Sequence, residues 1–137
     1  MNEFILPLTI YIEDTDYTGL VYHARYLNFF ERARSTWIAK LGMGMDWQQQ
    51  QEIYFVVCSA KLDFIKPARL ALPVEVVTRV RELKRASLIF EQELRLSDQT
   101  DTLLCTAEVK VACVNHAYRP VALPRCKLHD IMTGEPG

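Results

Sequence analysis

Long apolar runs, paired cysteines, clustered histidines and an excess of charge of either sign are all missing from this 137-residue sequence. No stretch approaches the about 20 apolar residues that a helix needs to span a bilayer. The N-terminal residues, Met1 to Pro7, carry neither the basic segment nor the apolar core of a secretion signal. The expectation is a cytoplasmic protein with no membrane insertion. Sixteen Lys and Arg against seventeen Asp and Glu leave a net charge of -1, which gives no general attraction to nucleic acid or anionic lipid. Any polyanion must be held by a local cluster.

Cys58, Cys105, Cys113 and Cys126 form no Cys-x-x-Cys pair, and His23, His116 and His129 stand apart from them and from one another. Metal-ligand spacing is therefore absent, and reduced, mostly buried thiols are expected. Neither an H-E-x-x-H helix nor a glycine-rich phosphate loop occurs among so few glycines.

What remains is an ordinary globular composition, half hydrophobic and 24% charged. The length suits one domain over residues 1–137. A strand is expected from Phe4 to Glu13, with Leu8, Ile10 and Ile12 on its apolar face and Pro7 at an end or edge. One long helix follows, from about Ala24 to Leu41. Its apolar stripe is Tyr26, Phe29, Phe30, Ala33, Trp37 and Leu41; its polar face is Arg25, Asn28, Arg32, Arg34, Ser35 and Lys40. Gly42 and Gly44 stop it. Met43 to Gln51 reads as a loop or short helical turn. Four strands then cover Ile53 to Ile65, Val74 to Leu83, Ser87 to Leu96 and Leu103 to Val114. Connections as short as Lys84-Arg85-Ala86 require antiparallel hairpins. A single helix against an antiparallel meander predicts an α+β fold, the sheet wrapped around the helix in the hotdog manner. Open sheet edges then predict pairing with a second copy.

The stretch from Glu13 to Tyr26, EDTDYTGLVYHARY, joins the first strand to the helix. It places acids directly before a helix N-terminus, where the first backbone N–H groups lack partners and the dipole favours negative charge. Gly19 suits the positive φ of a turn at Asp16-Tyr17-Thr18-Gly19. From the loop alone, Asp16 and Asp14 both read as turn or cap residues.

Glu13-Asp14-Thr15-Asp16, Gly19 to His23, Tyr26 and Phe30-Glu31-Arg32-Ala33-Arg34 together closely resemble the 4-hydroxybenzoyl-CoA thioesterase family of hotdog enzymes. They look most like its YbgC-type branch, which is associated with the Tol-Pal envelope system. Phe55-Val56-Val57, Phe64 to Leu70, Ala86 to Phe90 and Arg119 to Pro124 extend the resemblance over most of the chain. It implies hydrolysis of an acyl-CoA or acyl-carrier-protein thioester. In that case coenzyme A is part of the substrate, no further cofactor is used, and a homodimer or tetramer is the working form. Asp16 matches the catalytic carboxylate, as general base or nucleophile. His23 matches the position whose backbone N–H polarises the thioester carbonyl, with Gly19 as a further donor. Gly19, Val21 and Tyr22 fall among substrate-binding positions, and Lys84, Arg85 and Arg119 at places that hold the nucleotide's phosphates. Ile12 departs from the branch, which often has Tyr there. Two alternatives stay open: a hotdog dehydratase or hydratase pairing His23 with Glu31, and a non-catalytic dimeric binding module.

Overall fold

The computed structural model describes residues 2–128, so His129 lies outside them. Its elements are β1 (Glu3–Leu8), α1 (Arg25–Lys40), α2 (Met45–Gln51), β2 (Tyr54–Phe64), β3 (Val74–Leu83), β4 (Ser87–Leu96) and β5 (Leu103–Val114), with a 3-10 turn at Ile12–Asp14. The last three strands end where their alternation of apolar and polar residues ends. β1 is shorter than expected. The chain leaves β3 after Leu8, keeps Ile10 buried, and turns at Ile12, whose side chain is 76% exposed rather than on the apolar face. Pro7 lies within β1, which is an edge strand and can spare one N–H.

One antiparallel sheet has the order β1-β3-β4-β5-β2. The short turns make β3, β4 and β5 a meander, as the sequence requires. β2 is no part of that meander. It pairs with β5 at the far edge, and the chain crosses back through residues 65–73 to begin β3. Two prolines in that segment, Pro67 and Pro73, bar a tight hairpin of continuous ladder bonds.

α1 lies on the inner face, with Phe29, Phe30 and Ala33 wholly buried and Trp37 nearly so. Its closest strands are β3 and β1, and Phe4 stacks on Trp37 with ring centroids 5.8 Å apart. An antiparallel sheet wrapped around one long helix is the expected hotdog architecture. Gly42, at φ +86°, ends α1 in the left-handed conformation that favours glycine. Gly44 instead precedes α2 with an ordinary negative φ.

Because α1 sits toward β1, the inner face of β2 is left bare. A bulge at Cys58 shifts its register, with Val57 opposite Val111 and Ser59 opposite Lys110. Odd residues face the helix before the bulge and even ones after it, since side chains alternate along a strand. Val57 and Phe64 both face inward, yet are 53% and 56% exposed. The outer face is polar. Arg79 pairs with Glu3 at 2.8 Å, Arg95 with Glu75 at 2.7 Å, and Arg81 with Glu108. Of the four free thiols, Cys105 and Cys113 are buried on the inner face, which pushes their pKa up to about 12 and about 11. Cys58 and Cys126 are exposed, so only half of the thiols are buried.

Candidate active site

The loop ahead of α1 is two turns stitched together. Asp14 N–H donates to the Tyr11 carbonyl, and the Asp14 carboxylate accepts from Tyr11 N–H, both at 2.9 Å. Tyr22 N–H donates to the Asp14 carbonyl at 2.9 Å, and Arg25 Nε stands 3.7 Å from the Asp14 carboxylate. Asp14 is buried; it ties the first turn to the helix start. A short bridge between Thr15 and Val21 closes the second turn. There Asp16 N–H donates to the Leu20 carbonyl and Gly19 N–H to the Asp16 carbonyl. Gly19 adopts φ +83°, as its position in the turn requires. Its N–H is committed to the turn, so it is not the spare oxyanion donor expected of it.

Asp16 itself is exposed. Its Oδ1 accepts from Thr18 N–H at 2.8 Å and from the Thr18 hydroxyl. These bonds stabilise the charged form, the hydroxyl most, and hold the carboxyl below its ordinary value of 3.8. Both fall on one oxygen, which leaves Oδ2 for a water or an electrophile.

α1 begins at Arg25 with Ala24 as its N-cap, a residue with no side-chain acceptor to offer. Arg25 N–H returns to the Tyr22 carbonyl at 2.8 Å. Among the described residues, no acceptor meets the N–H of His23 or Ala24. These are the orphan donors of a helix start, at its positive end. The His23 ring lies against Tyr22, with centroids 4.5 Å apart.

Asp16, Val21, His23, Tyr26, Phe64 and Ile65 line one open groove of about 310 Å³. Tyr26 is fixed there by accepting a hydrogen bond from Ala68 N–H at 3.0 Å and by edge contact with Phe64. Val21 N–H donates to the Ala68 carbonyl, so the crossover after β2 braces the loop. Tyr26, Phe64 and Ala68 were not among the expected site residues. Their signal is the apolar stripe and the Phe64-to-Leu70 segment, which carry the family resemblance without a site role attached to them.

The remaining expected residues are elsewhere. Tyr22 is half-exposed at the loop surface. Lys84 and Arg85 occupy the β3–β4 turn, and Arg119 follows β5, beyond the Tyr54 end of β2; Asp16 lies at the Phe64 end. Within one chain the cations and the carboxylate are at opposite ends of the sheet. Glu31 lines a second groove, apart from His23, so within one chain the His–acid pair of a dehydratase is not assembled. Among the described residues no His, Cys, Asp and Glu cluster could hold a metal, and no helix is long and apolar enough to cross a membrane.

A carboxylate and an unpaired helix-start amide thus line one groove of a hotdog fold, and its curated relatives make the protein a CoA-thioester hydrolase. The chain belongs to the thioesterase-like superfamily, whose model matches residues 10–130. It is 41% identical over 126 residues to the acyl-CoA thioesterase YbgC of Haemophilus influenzae, covering 90% of each chain. To the acyl-CoA thioester hydrolase YbgC of Escherichia coli it is 37% identical, over 89% of this chain and 90% of that one. Among solved structures, a probable thioesterase from Bartonella henselae superposes with a TM-score of 0.77 at 32% identity, covering 90% of this chain and all of that one. The YbgC-type resemblance is thereby borne out.

Proposed function

We propose that the chain hydrolyses acyl-CoA thioesters to the free acid and coenzyme A, with Asp16 as base or nucleophile. The observation that carries this is one groove lined by both Asp16 and His23, the backbone N–H of His23 meeting no acceptor among the described residues. The names of the curated relatives support CoA as the thiol, and a CoA-thioester substrate supports the reading of a cytoplasmic protein.

The thioester oxygen rests on the His23 amide, which strengthens its hold as negative charge develops there. In the base route, Asp16 Oδ2 takes a proton from water as the hydroxide adds to the carbonyl carbon. Collapse of the adduct breaks the carbon–sulfur bond, and that proton passes to the departing thiolate. In the nucleophile route Oδ2 adds directly, the thiolate leaves, and water cleaves the resulting anhydride. His23 contributes through its backbone, and its exposed imidazole is dispensable in both routes.

The working unit is a dimer joined through β2. An eleven-residue edge strand with a bare apolar inner face is an unfinished sheet. A two-fold axis normal to the sheet pairs β2 with itself antiparallel and keeps both helices on one side. The Phe64 end of one strand then meets the Tyr54 end of the other, bringing the partner's Lys84, Arg85 and Arg119 toward Asp16.

The test is release of free thiol from a panel of acyl-CoAs. Asp16→Asn should lower turnover roughly a hundredfold or more, as loss of a base or nucleophile does, with an unchanged melting temperature. Retention of more than about a tenth of the activity would reject the assignment.

A further inference from the structure

Three polar side chains are buried beneath α1, away from Asp16: Arg34, Thr78 and Gln92. Arg34 was expected on the polar face of the helix; it points inward instead, one turn from both Phe30 and Trp37. Its Nη1 donates to Gln92 Oε1 at 2.8 Å. Gln92 Nε2 donates in turn to the Phe30 carbonyl and to the Thr78 hydroxyl, each at 2.9 Å. Both donors of the Gln92 amide are thereby used, which fixes its oxygen toward Arg34.

Arg34 is not saturated. Its side chain is 9% exposed and has five N–H donors, yet makes one hydrogen bond among the described residues. The nearest carboxylate, Glu31, is 3.7 Å away, beyond hydrogen-bond length, on a side chain 59% exposed. A guanidinium taken out of water with most donors unused is costly to bury. It lines a groove of about 370 Å³ whose other walls are largely apolar, including Ile38, Met43, Phe55, Phe90 and Val111. Apolar walls with one oriented donor group are the makeup of a small-molecule subsite.

This groove shares no lining residue with the Asp16 groove of its own chain. Along β2 the two are separated by the run from Val57 to Phe64, about 23 Å at strand rise. In the two-fold pairing, Phe64 of one chain stands one strand spacing, about 5 Å, from the Tyr54–Phe55 end of the other. We propose that the Arg34 groove of each subunit receives the acyl chain of the thioester held at its partner's Asp16. There Arg34 donates to an oxygen that the acyl chain carries remote from the thioester. This rests on the dimer and the catalytic groove proposed above. A hydroxyl would satisfy Arg34 and donate to Glu31. A carboxylate would accept two bonds from Arg34 and turn Glu31 into solvent.

The probes are octanoyl-CoA and its ω-hydroxy and ω-carboxy counterparts, compared by kcat/KM on the wild-type enzyme. One or both oxygenated chains should exceed octanoyl by about tenfold, the scale of a hydrogen bond to a charged group. The arm that wins identifies the oxygen. Equal values for all three would overturn the proposal. Arg34→Met should collapse the ratio toward one and Arg34→Lys should retain part of it. A ratio untouched in Arg34→Met also overturns it. Mixed dimers place Asp16→Asn on one tagged chain and Arg34→Met on the other. Their single active site keeps the wild-type ratio if Arg34 acts across the interface; a ratio near one means that it acts within its own chain, against the proposal. Turnover by the Asp16→Asn homodimer would strike the catalytic assignment alone, because the wild-type selectivity ratio does not depend on it.

Discussion

Two aspartates stand two residues apart in the loop before α1, and the fold treats them oppositely. Asp14 is buried, with its carboxylate on Tyr11 N–H and near Arg25 and its backbone on Tyr11 and Tyr22. Asp16 is exposed on the wall of a groove, with both side-chain bonds on one oxygen. Both sit near the same helix terminus, so proximity to the dipole does not separate them. What separates them is spare capacity. A carboxylate whose oxygens are committed to scaffold cannot take a proton or attack a carbon; one with a free oxygen can.

The contrast should appear first as a division between activity and stability. Beside the collapse of turnover in Asp16→Asn, Asp14→Ala should cost about 1.5–3 kcal/mol of folding free energy, the scale of a hydrogen bond accepted by a charged group. Urea unfolding measures that loss. If Asp14→Ala unfolds like the wild type and loses turnover as completely as Asp16→Asn, the roles have been misassigned.

That division was only half legible in the sequence. The EDTD stretch before a helix announced a site, but no pattern in it distinguishes the acid that folds inward. The same holds elsewhere. β3, β4 and β5 could be bounded from alternation because one face is buried throughout. β2 could not be placed at the far edge, because pairing order is a property of the whole sheet. Its bulge at Cys58, which reverses the facing of every later residue, has no local signature. Arg34 was legible and was missed: four residues after Phe30 and three before Trp37, it occupies the apolar stripe. Thr78 and Gln92 fill inward slots of β3 and β4 and face each other in register. Three polar residues in apolar slots were the trace of the second groove.

A finer effect concerns pH. The Thr18 hydroxyl is the main cause of the lowered Asp16 pKa, so in the wild type the acidic limb of kcat/KM should lie below 3.8, where a base loses activity by gaining its proton. Thr18→Val keeps the backbone N–H donor and removes the hydroxyl. The limb should move up toward the ordinary carboxylate range, with little change at neutral pH. The same sign governs stability: what the Asp16 charge contributes is present above 3.8 and lost as pH falls through the lowered value. A limb that stays in place in Thr18→Val would mean that the titrating group is not Asp16.

The smallest effect tests the comparison from outside the loop. Lys84 and Arg85 are exposed at the β3–β4 turn, and Lys84 stands 3.7 Å from Glu82, itself well exposed. Solvent screening makes each such charge worth little, so replacing both by Ala should raise KM for acyl-CoA by roughly tenfold or less and leave kcat alone. A thioester of the same acid with a short thiol lacks the nucleotide phosphates and should be unaffected. Equal effects on the two substrates would remove the phosphate contact from the model. Because these cations reach Asp16 only from the second subunit, dilution below the dimer's dissociation constant should abolish the KM difference together with turnover. If a monomer kept both, the cations and Asp16 would have to meet within one chain, across the length of β2 that separates them here.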